Sequence, residues 1–192
     1  SDVCSSDLKG KTVFKNGDVY EGEYVKGKRE GYGTYMFPDG EKYEGQWFQD
    51  QQHGRGIYYF MNNNRYDGMW FQDYQHGKGT MYYYNGDIYE GDWVNDKREG
   101  QGTYTWKNGS KYVGSWKNDK KDGKGTLTWN DGSKYDGEWK NDVRDGKGTF
   151  EYANGDKYVG DWKDDMQHGK GIYFFHTGDR YEGSDVQGER TG

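Results

Sequence analysis

Large side chains alternate with small or polar ones throughout this chain, and glycine interrupts the alternation at regular intervals. In YVGSW at 112–116, Tyr112, Gly114 and Trp116 share one side of an extended backbone. GKGTLTW at 123–129 repeats the device, with Gly125, Leu127 and Trp129 on one face and Thr126 and Thr128 on the other. A period of two predicts half-buried strands, a setting that suits aromatic and β-branched residues. No 3.6-residue period occurs, so no helix is predicted.

The alternation is itself periodic. Tyr20, Tyr43, Tyr66, Tyr89, Tyr112, Tyr135, Tyr158 and Tyr181 lie 23 residues apart, each followed two residues later by glycine. A G-x-G follows in the same register, beginning at Gly31, Gly54, Gly77, Gly100, Gly123, Gly146 and Gly169. A fixed period of this length marks a repeat architecture.

Two turns punctuate each copy. Asn16-Gly17, Asp39-Gly40, Asn85-Gly86, Asn108-Gly109, Asp131-Gly132, Asn154-Gly155 and Thr177-Gly178 end the second strand. Asn-Gly and Asp-Gly are strong hairpin signals because such turns need positive φ. Asn63 replaces the glycine once, and asparagine tolerates that conformation best after glycine. The other turn carries Gly27, Asp50, Asp73, Asp96, Asp119, Asp142, Asp165 and Gly188, again types that accept left-handed backbone. The glycine after each tyrosine is expected to leave room for an aromatic ring across the backbone.

The fold expectation is therefore all-β: an elongated array of tandem 23-residue antiparallel β-hairpins forming a twisted single-layer ribbon with a groove. A lone hairpin is unstable in water, so stability must come from stacking successive copies. About sixteen strands at ~4.8 Å spacing give a ribbon roughly 75 Å long.

Composition agrees. Only 30% of the 192 residues are hydrophobic while 19% are aromatic, so the apolar mass lies in Tyr, Trp and Phe. Disordered chains are poor in aromatics, and the 33 glycines lack the every-third-residue rule of collagen. No run of ~18 apolar residues is present to span a membrane as a helix.

The first eight residues, SDVCSSDL, break the register, with Leu8 where glycine is required. They read as a translated sequencing-library adapter and are set aside as foreign, leaving residues 9–192 as an array of about eight copies, incomplete at both ends. Cys4, the sole cysteine, goes with them, and removing Asp2 and Asp7 changes the formal charge from −6 to −4.

The pattern Y-x-G-x-W followed by G-x-G-T-Y resembles the MORN (membrane occupation and recognition nexus) repeat family; YEGDW at 89–93 with GQGTY at 100–104 matches it well. Departures are Tyr24 and Asp185 in tryptophan slots and Asn63 in a glycine slot. The resemblance implies an elongated antiparallel sheet with a groove, used as a scaffold or binding surface, and it names no reaction. MORN arrays also occur joined to lipid-kinase or methyltransferase domains; this segment resembles neither.

Chemistry-bearing residues reduce to repeat slots. His53, His76 and His168 share one position, and copies two strands apart lie ~9.6 Å from each other, too far to share a metal ion. His176 has no companion of its kind. Paired acids such as Glu21 with Glu23, or Asp136 with Glu138, occupy slots that elsewhere hold Val113 and Ser115, or Asp67 and Met69, which argues for a solvated face. The G-x-G motifs lack the helix that a phosphate-binding fingerprint needs. No catalytic residue, cofactor or metal is expected.

The aromatic rows remain. Trp47, Trp70, Trp93, Trp116, Trp139 and Trp162, with Tyr66, Tyr89, Tyr112 and Tyr135, are read both as inter-repeat packing and as the candidate lining of an aromatic groove. Residues 107–163 carry 12 Lys/Arg against 10 Asp/Glu, so clusters such as Lys120, Lys121 and Lys124 promise only weak contact with acidic phospholipid. The same balance disfavours nucleic acid.

The functional expectation is a non-catalytic scaffold that binds a protein partner, a peptide or helix, along the groove. Self-association through sheet edges is a further expectation. A membrane module for acidic phospholipids is the alternative, and a surface glycan- or choline-binding aromatic repeat the lesser one. The expected location is cytoplasmic, peripheral to membrane or cytoskeleton.

Overall fold

The computed structural model describes residues 8–186 and 189–191, and side chains up to Ser184. Residues 1–7 of the octapeptide, Gly188 in its turn slot and Gly192 lie outside the described residues, as does the side chain of Asp185. Among the described residues there are seventeen strands and no helix.

Two compact units divide the chain, residues 1–97 and 98–192. The first runs through β1 (Lys9–Val13), β2 (Val19–Val25), β3 (Lys28–Met36), β4 (Lys42–Phe48), β5 (Gln51–Tyr59), β6 (Arg65–Phe71), β7 (Tyr74–Tyr82) and β8 (Ile88–Val94). Each strand pairs antiparallel with the next in an open meander. The second contains β9 (Lys97–Thr105), which begins at the boundary, β10 (Lys111–Lys117), β11 (Lys120–Thr128), β12 (Lys134–Lys140), β13 (Val143–Glu151), β14 (Lys157–Lys163), β15 (Met166–Phe174), β16 (Arg180–Val186) and β17 (Glu189–Thr191). It is paired the same way. The expected all-β ribbon of tandem hairpins is the fold observed.

Register explains the repeat. In the first unit, Gly10, Gly22, Gly33, Gly45, Gly56, Gly68, Gly79 and Gly91 face one another in sequence across eight strands, making a trough of bare backbone. The tyrosines fill it. A Cβ on Gly56 would lie 2.2 Å from the Tyr43 hydroxyl, and one on Gly45 would lie 2.4 Å from the Gly56 Cα. The expected close approach is real, and the ring belongs to the tyrosine two residues before the first glycine.

Both turns contain the expected left-handed residues, but their geometries differ. At Pro38-Asp39-Gly40 only Gly40 is left-handed (φ 98°), and Gly40 N–H donates to the Phe37 carbonyl. This is a three-residue loop ending in a bulge, not a two-residue type I′ turn. Asp39 instead accepts the Glu41 N–H at 2.9 Å. Asn63 takes φ 71° in the glycine slot, as expected. The type I′ geometry belongs to the other turn, where Gln49 and Asp50 both have positive φ (47° and 67°), as do their counterparts through Asp164 and Asp165.

Candidate functional site

The aromatic rows form an edge-to-face herringbone. In the first unit the rings run Tyr20, Trp47, Tyr43, Trp70, Tyr66, Trp93, Tyr89, with centroids 5.1–5.4 Å apart and planes 85–90° apart. The second unit repeats it through Trp116, Tyr112, Trp139, Tyr135, Trp162 and Tyr158. Edge-to-face pairs add about 0.5–1.5 kcal/mol each beyond buried area. The polar ends are satisfied: Tyr43 donates to the Gln46 carbonyl at 2.7 Å, and Trp47 Nε1 donates to the Gly33 carbonyl at 3.1 Å.

This geometry divides the candidate groove residues. Tyr66, Tyr89, Tyr112 and Tyr135 have 0% accessible surface, and Trp47, Trp70, Trp93, Trp116, Trp139 and Trp162 keep only 3–6%. A side chain without accessible surface touches no partner, so the tyrosines serve packing. Trp47 and Trp70 lie under a second aromatic tier: Tyr35 sits 5.8 Å from Trp47 and Tyr58 5.9 Å from Trp70. That tier, with Phe37 and Phe60, opens onto a cleft of about 690 Å³ in the first unit.

Polar clamps hold the tier in place. Tyr35 donates its hydroxyl to Asp18 at 2.6 Å and Tyr58 to Glu41 at 2.8 Å. Burial, reinforced by the Asp18 carboxylate, pushes the Tyr35 hydroxyl up to about 12. Burial also raises Tyr43, Tyr58, Tyr66, Tyr112 and Tyr135.

The type I′ turns form one wall. The Asp50 carboxylate accepts the Arg29 N–H at 2.8 Å while its own N–H donates to the Arg29 carbonyl at 3.0 Å. Asp73 and Asp96 grip Gln52 and Gln75 identically, and Asp119, Asp142 and Asp165 grip Arg98, Lys121 and Arg144. Burial opposes ionisation of Asp50, but the Arg29 N–H and guanidinium outweigh it and lower its pKa. Local sequence assigns these aspartates to turn conformation alone; the staple leaves only a constant 21-residue spacing across the repeats.

The remaining candidates sit apart from the cleft. His53 lies between Phe48 and Phe71 (5.6 and 5.4 Å), and His76 packs on Phe71 at 5.7 Å. The Nδ1 atoms of His76 and His168 are buried without a hydrogen-bond partner. His176 pairs with an acid: Asp156 lies 2.8 Å from its Nδ1, and this contact above all lowers the Asp156 pKa to about 2. Among the described residues no three His, Cys, Asp or Glu gather to hold a metal.

The paired acids do structural work. Glu23 accepts the Tyr32 N–H, Glu138 accepts the Lys147 N–H at 2.5 Å, and Asp136 accepts from Thr126 at 3.2 Å. Glu23 and Glu138 thereby each free a bulge beside a left-handed glycine, Gly31 or Gly146, from an unpaired donor. Lys121 is drawn over Trp139 at 5.2 Å beside Asp142, and burial lowers its pKa, so it does not join Lys120 and Lys124 on the surface.

Trough, herringbone and staple together define a tandem β-hairpin repeat protein in which each copy packs on the next. The MORN repeat accounts for residues 20–42, 43–65, 66–88, 89–111, 112–134, 135–157 and 158–180, and the chain belongs to that family. No curated protein matches the sequence. The chain is similar to the TCP10 domain of Danio rerio CPAP (TM-score 0.54, 15% identity, covering 91% of this chain and 83% of that one). It is also similar to the G-box domain of the microcephaly protein CPAP (TM-score 0.53, 14% identity, 93% and 100% coverage). At these identities the likeness is one of fold.

Proposed function

We propose that the chain is a non-catalytic scaffold that binds a peptide or helix of a protein partner along the aromatic cleft. The observation carrying this reading is the 690 Å³ cleft floored by Tyr35, Phe37, Tyr58 and Phe60. Clefts of this size lined by aromatic rings with a few fixed polar groups suit apolar side chains anchored by hydrogen bonds. The acidic turn wall works against anionic lipid at this surface.

The test selects displayed peptides of about a dozen residues against the purified chain. Binding should weaken in Phe60→Ser, which removes a half-buried ring outside the herringbone, without loss of the folded β-sheet spectrum. Absence of any selected peptide, together with flotation on anionic liposomes that persists at physiological salt, would replace this reading with the membrane one.

A further inference from the structure

The chain's own cations show what the cleft lacks. Arg29 lays its guanidinium 4.7 Å from the Trp47 ring, with Nε 3.2 Å from Asp50 Oδ1 and Nη2 3.0 Å from the Asp50 carbonyl. The second unit repeats the seat three times: Arg98 on Trp116 (4.8 Å), Lys121 on Trp139 (5.2 Å) and Arg144 on Trp162 (4.7 Å), each paired with the next turn aspartate.

Three copies depart from this: one, at Gln167, has Gly188 in place of the turn aspartate, and the other two are successive. Gln52 and Gln75 occupy the cation slot, and Asp73 and Asp96 receive only their backbone N–H groups among the described residues. Both carboxylates are exposed and both line the cleft. The charged residues facing it are Arg29, Asp50, Asp73 and Asp96, so one cation stands against three carboxylates.

Resting on the protein-binding reading above, we infer that the cleft takes a basic segment of the partner: Lys or Arg pairs with Asp73 and Asp96, and an intervening apolar side chain lies on Tyr58 and Phe60. The two aspartates are two strands apart, ~9.6 Å. An extended segment puts residues i, i+2 and i+4 on one face, so cations four residues apart, about 13 Å at roughly 3.3 Å per residue, flank one apolar side chain, and their long flexible side chains close the remaining gap. Exposed pairs add modest affinity but select strongly against acidic partners.

Gln52→Arg with Gln75→Arg gives the decisive variant, because it installs the residue that Arg29, Arg98 and Arg144 already place in this slot. The full chain and the double variant are compared against the displayed-peptide library, and the recovered peptides are measured by fluorescence anisotropy at low and physiological salt. The expected result is enrichment of Lys/Arg around an aliphatic or aromatic residue, affinity about tenfold weaker in the variant, further weakening by salt, and a Tm no lower than the parent's. Enrichment of neutral or acidic peptides that ignore the double substitution but are lost in Phe60→Ser would overturn the basic-partner inference and leave the scaffold reading standing. Recovery of no peptide would sink both. Self-association of the parent that the double variant abolishes, without peptide binding, would assign the cleft to a second copy and overturn the inference.

Discussion

The Tyr58 hydroxyl donates to Glu41 Oε1 at 2.8 Å, joining positions 17 residues apart, and the contact is half of a matched pair of slots. Wherever the described contacts show tyrosine at this strand position, an acid faces it: Tyr35 with Asp18, Tyr58 with Glu41, Tyr173 with Asp156. Where the strand position is Met81, Leu127 or Phe150, the residue 17 before it is Asn64, Ser110 or Ser133. The same slot also takes a backbone N–H from 20 residues ahead, as Glu41 does from Met61 and Ser110 does from Asn130. An acid thus appears where a hydroxyl needs an acceptor, and a small amide or hydroxyl where it does not.

Tyr58→Phe should therefore destabilise the chain by about 1–2 kcal/mol, since it strips a donor from a half-buried carboxylate. Phe150→Tyr alone should gain nothing opposite Ser133. Combined with Ser133→Asp it should recover stability beyond the sum of the two single changes. Denaturant unfolding of the four proteins measures that coupling, and strict additivity would refute the pairing.

Strand positions and turn locations were legible because both depend on local rules: period-two alternation and the residues that accept positive φ. The identity of each turn was not. Asn-Gly is the stronger local hairpin signal, yet residues such as Gln49 and Asp50 adopt the type I′ pair, where Asp50 is also held by the Arg29 peptide at the start of β3. That constraint acts across 21 residues and has no local signature. The groove was half legible. The tryptophan and tyrosine rows are where the pattern put them, but inter-strand register lays Tyr35 over Trp47 and the Arg29 side chain beside it, so the accessible rings belong to the next slot. Alternation assigns a face; it does not rank depth within that face.

Glycine positions separate into two kinds. Gly56→Ala would drive a methyl to 2.2 Å from the Tyr43 hydroxyl and break both its bond to Gln46 and its ring contacts. A loss of about 3 kcal/mol is expected. Gly27→Asp meets no atom within 4 Å at φ 78°, and aspartate fills six counterpart turns. It should change stability by less than about 1 kcal/mol. Thermal unfolding of the two variants tests the contrast, which equal effects would refute.

The turn staple separates charge from acceptor geometry. Asp119→Asn keeps an oxygen for the Arg98 N–H and tolerates φ 68°, losing only a partly exposed ion pair. It should cost about 0.5–1 kcal/mol, and less at high salt. Asp119→Ala also removes the acceptor and places an ordinary residue in left-handed backbone, so about 2–3 kcal/mol is expected. If alanine and asparagine prove equivalent in urea titrations, the staple does not contribute.

Alkaline pH should unfold the protein through its buried tyrosines. An unfolded tyrosine ionises near 10, whereas burial holds the Tyr20 and Tyr35 hydroxyls up to about 12. Raised folded values mean that the native state keeps its protons after the unfolded chain has released them. The stabilisation is complete below about pH 10 and declines as pH rises from 10 toward 12, because the unfolded state then gains by ionising. Tyr43, Tyr66, Tyr112 and Tyr135, which have no accessible surface, are shifted in the same direction, so their contributions accumulate in one cooperative loss. The measurement is tyrosinate absorbance followed alongside the β-sheet circular-dichroism signal during a pH titration. The buried set should ionise only as the sheet signal collapses. Ionisation of all tyrosines in one step near pH 10, with the sheet retained, would show that the tyrosines are not the packed core of each repeat.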